Sequence, residues 1–379
     1  MNTKTKPMKK LSYLIFLIFI SVACVERYDA PIRNTKPILV VEGQITSAPP
    51  PYYVKLSYTG IFEYGNTTPL DQQENRAKVT IQEEGGSSQT LFNVGQGLYR
   101  TPDGTLRGIA GRSYSVRIEL PDGTKFVSKP EKLPSTVPVD KITYEFADVP
   151  NSEDFRGDPI SPDGYRIFID FQDPAAEQNY YRWAVYGVTR RATTGTPCPY
   201  ICGSPTGCWC NTSCYVREEN NAFNILSDAL INGKKISRNY VYFSPLYTTG
   251  SHSVEIAQYS LTREAYQFMK KYQEQQTRMG SLFDPLPAPL EGNVYNEANP
   301  NQLALGYFGA MGLYRKRILF NPEETDNQIF LKLPRYRVNP NTGAYESYNR
   351  EKGCTDVYEG SYPSGTWPPA GWDTEDLNK

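Results

Sequence analysis

A single histidine, His252, stands in the 379 residues. That scarcity removes the H-E-x-x-H zinc signature and leaves no second imidazole for a metal or a relay. Neither sign of charge prevails: 40 basic residues face 41 acidic ones, a formal net charge of −1. A nucleic-acid partner, which calls for a basic footprint, is therefore excluded. There is no G-x-S-x-G, no glycine-rich phosphate loop and no Walker lysine. Cysteine is sparse outside one segment, with only Cys24 and Cys354 lying beyond 198–214. Long apolar runs are missing as well. The thirteen mostly apolar residues Leu11–Ala23 fall short of the roughly 20 that cross about 30 Å of hydrocarbon, so a membrane span is not expected there.

What stands around that run gives it a meaning. Lys4, Lys6, Lys9 and Lys10 precede it without an acidic residue, the layout of a secretory signal peptide over residues 1–23. Ser21-Val22-Ala23-Cys24 puts small residues before a cysteine, as a lipobox requires, although Ser21 stands where leucine is commoner. Cys24 is the expected lipidation site, carrying diacylglycerol and palmitate; the competing reading is a secreted chain whose Cys24 forms a disulfide. Cleavage removes four lysines and no acid, leaving 36 basic against 41 acidic residues, a net charge of −5.

The 356 residues left after cleavage exceed what one core usually serves, so two domains are expected. The chain holds 29 tyrosines beside 30 prolines and 29 glycines, a composition that favours short strands joined by turns. The expected fold class is mainly β. Residues 24–36 read as a polar tether, and 37–135 as an immunoglobulin-like β-sandwich. In "SYSVRIELPDGTKFVS" Tyr114, Val116, Ile118 and Leu120 alternate with polar residues up to an Asp122-Gly123 turn, a hairpin pattern. Residues 136–335 read as a second β-rich domain with a disulfide-rich loop and one helix, 262–279. Thr262 suits the helix cap, and Ala265, Phe268, Met269, Tyr272 and Met279 share a face read as core contact. Residues 336–379 read as an irregular tail.

With Cys24 acylated, Cys198, Cys202, Cys208, Cys210, Cys214 and Cys354 remain, an even number that reads as disulfides in an exported chain. Their pairing is open, but if all are oxidised Cys354 must bridge to the cluster. Zinc is the competing reading, and the absence of a C-x2-C pair and of nearby histidine argues against it. Glu153, Asp154, Asp158 and Asp163 crowd the loop 151–164 without EF-hand spacing, so a solvated loop is preferred to calcium. His252 alternates with apolar positions and reads as a strand residue. No catalytic residue, metal or cofactor is expected.

The stretch "QYSLTREAYQFMKKYQEQQTRMGSLFDPLPAPLEGN" followed by "LGYFGAMGLYRKRILF", with "ILVVEGQIT" and "PYYVKLSYT" upstream, resembles a family of Bacteroidota lipoproteins catalogued only as a domain of unknown function. The resemblance implies lipid anchoring in the outer membrane at the cell surface, often beside a SusC-like TonB-dependent receptor, and it carries no catalytic residues across. A non-enzymatic accessory or binding subunit of such a receptor is the leading expectation. A surface glycosidase or peptidase with an unrecognised acidic site, and an accessory lipoprotein of an assembly or secretion machine, are the alternatives. Pro285, Pro287 and Pro289 hold the segment 281–293 extended, and Phe283 is the candidate partner contact within it.

Overall fold

The structure, a computed structural model, describes residues 37–59, 72–148, 163–192, 213–245, 251–278 and 290–320, with strand pieces at 152–153, 159–160, 196–197, 209–210, 336–338 and 345–347. The described residues from Ile38 on belong to one compact unit; the other, Met1–Pro37 with Gly60–Leu70, lies outside the described residues apart from Pro37. The described chain is mainly β with one helix. Six of the strands that open it are β1 (Leu39–Thr46), β2 (Tyr53–Tyr58), β3 (Lys78–Glu83), β4 (Leu98–Arg100), β5 (Ser113–Glu119) and β6 (Lys125–Ser128). Period-two alternation decides their faces. Val79 and Ile81 in β3, and Tyr114, Val116 and Ile118 in β5, are fully buried while their neighbours Lys78 and Arg117 face out. The β5–β6 hairpin turns at Gly123, whose φ of 84° suits a residue without Cβ. Asp122 Oδ1 accepts the Thr124 amide at 2.9 Å there.

These strands belong to one sheet whose two ends come from a single segment. Ser88–Thr90 pairs with β3, and Phe92–Gly95, one residue later, pairs with β4. The two ends of the sheet are thus halves of one stretch of chain, which leaves few free edges. Leu39, Val41, Val54, Leu56 and Tyr99 meet Val79, Val116, Ile118 and Phe126 in a common core.

The chain passes to a second core between Leu133 and Val137. Strands β7 (Lys141–Asp148), β8 (Asp163–Gln172), β9 (Tyr180–Ala192), β10 (Ser213–Ser227), β11 (Lys235–Pro245) and β12 (His252–Leu261) follow. β7, β8 and β11 make a three-stranded sheet, while β9 pairs with both β10 and β12. Between the two layers Tyr181, Trp183 and Val185 of β9 meet Ile167, Ile169 and Phe171 of β8. Two buried polar side chains there are paired with each other: Trp183 Nε1 donates to Gln258 Oε1 at 2.8 Å, and Gln258 Nε2 donates to the Val137 carbonyl at 2.8 Å.

Helix α1 (Arg263–Arg278) follows directly. Thr262 caps it, its Oγ1 accepting the Ala265 amide at 3.1 Å, and Glu264 sits in the positive first turn. Ala265 and Met269 pack on Tyr180, Ala184, Ala257 and Tyr259 to form a third core. The first half of β9, Tyr180 to Val185, is therefore buried on both faces.

Two late strands complete the first core. β13 (Glu291–Asn296) pairs with β6, and β14 (Leu303–Phe320) pairs with β13, runs parallel to β1 from Val40↔Leu305 to Thr46↔Met311, and then pairs with β12. Val294, Ala304, Phe308 and Ala310 join the first core from there. The crossing is tight. Gly306 has a φ of 82° and a Cβ there would meet the Val41 carbonyl oxygen at 2.1 Å, so only glycine fits.

Candidate functional site: a groove beside the helix

Between α1 and the outward face of the β1–β14 pair lies a groove of about 620 Å³, within the range of ligand-sized clefts. Its floor follows from strand alternation. Val41 and Ile45 point into the first core, which turns Val40, Glu42 and Gln44 outward, and Leu305 and Tyr307 of β14 line the groove beside them. Phe268, Tyr272 and Gln275, spaced along one face of α1, form the near wall, and Tyr53 stands on the far side. Arg182, Met269, Met311 and Leu290 complete the lining. The helical face read as core contact is thus divided: Ala265 and Met269 are buried, whereas Phe268 is half-buried and Tyr272 exposed in the groove wall.

A buried carboxyl supports floor and wall together. Glu131 is only 5 % exposed and accepts from the Tyr307 hydroxyl on one oxygen and the Thr262 hydroxyl on the other. One side chain therefore holds both the cap of α1 and the tyrosine of the floor. Burial pushes the Glu131 carboxyl above its usual range; the two hydroxyls and Asn293 oppose that rise, and Glu264 adds to it. The Tyr307 hydroxyl is pushed well up by burial first and by the neighbouring Glu131 charge second. Phe268 and Tyr307 meet with ring centroids 4.9 Å apart, and the Arg182 guanidinium lies over the Tyr259 ring at 5.4 Å.

Charge inside the groove is uneven. The exposed Glu42 carboxylate makes no hydrogen bond or ion pair among the described residues, although Lys55 stands across from it in β2. The lining can bind apolar and cationic groups; among its described residues there is no pair of carboxylates. Among the described residues no three His, Cys, Asp or Glu side chains gather.

His252 lies in β12 and is 1 % exposed, stacked on Phe320 at 5.4 Å. Its Nε2 is 2.9 Å from Ser244 Oγ and 3.1 Å from Thr189 Oγ1. The serine and threonine are buried too, and none of the three lines the groove. A second buried cluster joins two loops: Tyr181 donates to Asp173, the Gly233 amide donates to Asp173 Oδ2 at 2.7 Å, and the Asn179 amide donates to Asp228 Oδ2 at 2.8 Å.

The residues singled out from the sequence mostly fall elsewhere. Cys24, Cys198, Cys202, Cys208, Cys354 and Phe283 lie outside the described residues. Cys210 ends the strand piece Trp209–Cys210 that pairs with Thr196–Pro197, and Cys214 is placed opposite Arg191 in the β9–β10 ladder. Of the acidic loop, Glu153 lies in a short strand piece and Asp163 opens β8, while Asp154 and Asp158 are outside the described residues. Sequence reasoning missed Glu42, Tyr53, Glu131, Arg182 and Tyr307. The one available signal was Glu131 itself, a carboxylate between Pro130 and Pro134 where the chain changes cores.

The model of a protein family described as "Domain of unknown function (DUF4249)" matches residues 25–317. No curated protein matches the chain.

Proposed function

The chain belongs to the DUF4249 family of unknown function, and from that premise we propose that it is a lipid-anchored, non-enzymatic binding subunit of an outer-membrane complex, docking a partner protein through the groove beside α1. The observation that carries this reading is the groove: an open cleft whose wall and floor combine Tyr53, Phe268, Tyr272 and Tyr307 with Met269 and Met311. Aromatic residues, methionine and arginine are the residues that protein interfaces favour. The partner is a β-barrel of the outer membrane, a SusC-like TonB-dependent receptor or an assembly machine. The anchor is Cys24, directly after the Leu11–Ala23 run and separated from β1 by the fourteen residues 25–38, which keeps the first core within a few tens of Å of the bilayer at roughly 3.3 to 3.6 Å per extended residue. Surface exposure, an immunoglobulin-like first core, disulfides among Cys198, Cys202, Cys208, Cys210, Cys214 and Cys354, and a contact from Phe283 belong to the same proposal.

A hydrolase draws on the Ser244–His252 pair. Its burial away from the groove favours a structural role instead, since a nucleophile needs room for substrate. Detergent purification of the native protein tests the proposal. A large barrel at fixed stoichiometry supports it, and loss of that barrel on Tyr272→Ala, with the fold intact, assigns the groove. A solitary protein that turns over glycans or peptides refutes it.

A further inference from the structure

The groove has a chemical preference that its shape does not reveal. Of the two charged residues among its described lining, Arg182 is already engaged over the Tyr259 ring at 5.4 Å. The Glu42 carboxylate is not engaged: exposed on the floor, it has no hydrogen bond or ion pair among the described residues, and the Lys55 ammonium opposite forms none with it. Tyr53 at 45 % exposure and Tyr272 at 38 % exposure offer ring surface in the same lining. Negative ring faces and an uncommitted carboxylate share one electrostatic sign, and a cation entering between them meets both. Val40, Leu305, Leu290, Met269 and Met311 add apolar surface to the same lining.

We propose that the groove recognises a basic side chain, arginine or lysine, carried on an apolar stretch of the partner protein, with Glu42 pairing the cation and the tyrosine rings flanking it. Charge complementarity selects this occupant. An acidic segment would face Glu42 directly, and a purely apolar one would leave the carboxylate desolvated without a partner. The inference rests on the groove being the docking surface, as proposed above.

The test uses the full mature chain in detergent and fluorescein-labelled peptides alternating leucine with arginine, or leucine with glutamate, read by fluorescence anisotropy. The arginine peptide is expected to bind the wild-type protein about tenfold more tightly than the glutamate peptide, as a partly desolvated cation–carboxylate and ring contact allows. Glu42→Gln, which keeps size and polarity, should abolish that difference, and Tyr272→Ala should weaken the arginine peptide. Equal binding of both peptides, no binding of either, or a preference that survives Glu42→Gln overturns the inference. Arginine ethyl ester binding as tightly as the peptide overturns the partner-segment assignment in favour of a small cation. Co-purification separates the two levels. If Tyr272→Ala loses the barrel while Glu42→Gln retains it and the peptides show no charge preference, the groove reading stands and the charge inference falls.

Discussion

Replacing Phe308 by alanine probes the way one late strand completes an early core. Phe308 is fully buried in β14, among Leu39, Val41, Val54 and Val116 of the first core. Its backbone is fixed on both sides of the carboxamide of Asn293: the Asn293 Nδ2 donates to the Phe308 carbonyl at 2.8 Å, and the Phe308 amide donates to Asn293 Oδ1 at 3.0 Å. The site is closely packed, since a Cβ on Gly43 would stand 3.3 Å from the Phe308 ring. Loss of the ring removes about 1.5 to 3 kcal/mol of transfer free energy. A cavity that this rigid crossing cannot close brings the total to about 3 to 5 kcal/mol. At about 2 to 4 °C per kcal/mol for a domain of this order of size, the melting temperature should fall by about 10 °C. Urea titration followed by far-UV circular dichroism measures the stability, and hydrogen exchange locates it. Amides of β3 and β5, far away in sequence, should lose protection together with those of β14. A change below about 1 kcal/mol, or lost protection confined to β14, would refute the claim that β14 completes the first core.

Four further outcomes can be checked separately. Gly306→Ala meets both a φ of 82° and the Val41 carbonyl oxygen at 2.1 Å, and should destabilise by about 2 kcal/mol or more, read as a shift of the urea midpoint at constant slope. Because the buried Glu131 carboxyl titrates above its ordinary value, the folded state binds that proton more tightly than the unfolded state. Its contribution is therefore fully present below the usual carboxylate range and is lost as pH rises through the raised value. Glu131→Gln should remove this part of the pH dependence of stability, and an unchanged profile in the variant would assign it to another group. Cys24→Ala should abolish palmitate labelling and release the chain from membranes, while the intact mass of the delipidated mature wild-type chain should show six hydrogens fewer than the reduced form.

The strands were legible because their chemistry is local. The alternation of Tyr114, Val116 and Ile118 up to Asp122-Gly123 names a hairpin by itself, and Thr262 three residues before Ala265 marks the start of α1. The doubly buried β9 could also be suspected from "YYRWAV", where both phases carry large side chains. The parallel pairing of Val40 with Leu305 was not legible, since register between strands so far apart is settled by tertiary packing that no local pattern encodes. The groove was hidden for the same reason. Nothing in the local pattern of Val40, Glu42 and Gln44 marks them as a site, and only the arrival of α1 over β14 gives that face a wall. Phe268 and Tyr272 share the period of Ala265 and Met269, so periodicity alone could not divide helix core from groove lining.

Photo-crosslinking from the groove tests the central claim most directly. A benzophenone amino acid in place of Tyr272, introduced in the native host and irradiated in intact cells, should join the chain to an outer-membrane β-barrel identifiable by mass spectrometry, and the same replacement at the exposed Lys78 on the outer face of β3 should not. Absence of a barrel adduct from position 272 in a protein that folds and reaches the membrane, or an equal adduct from position 78, would contradict the account.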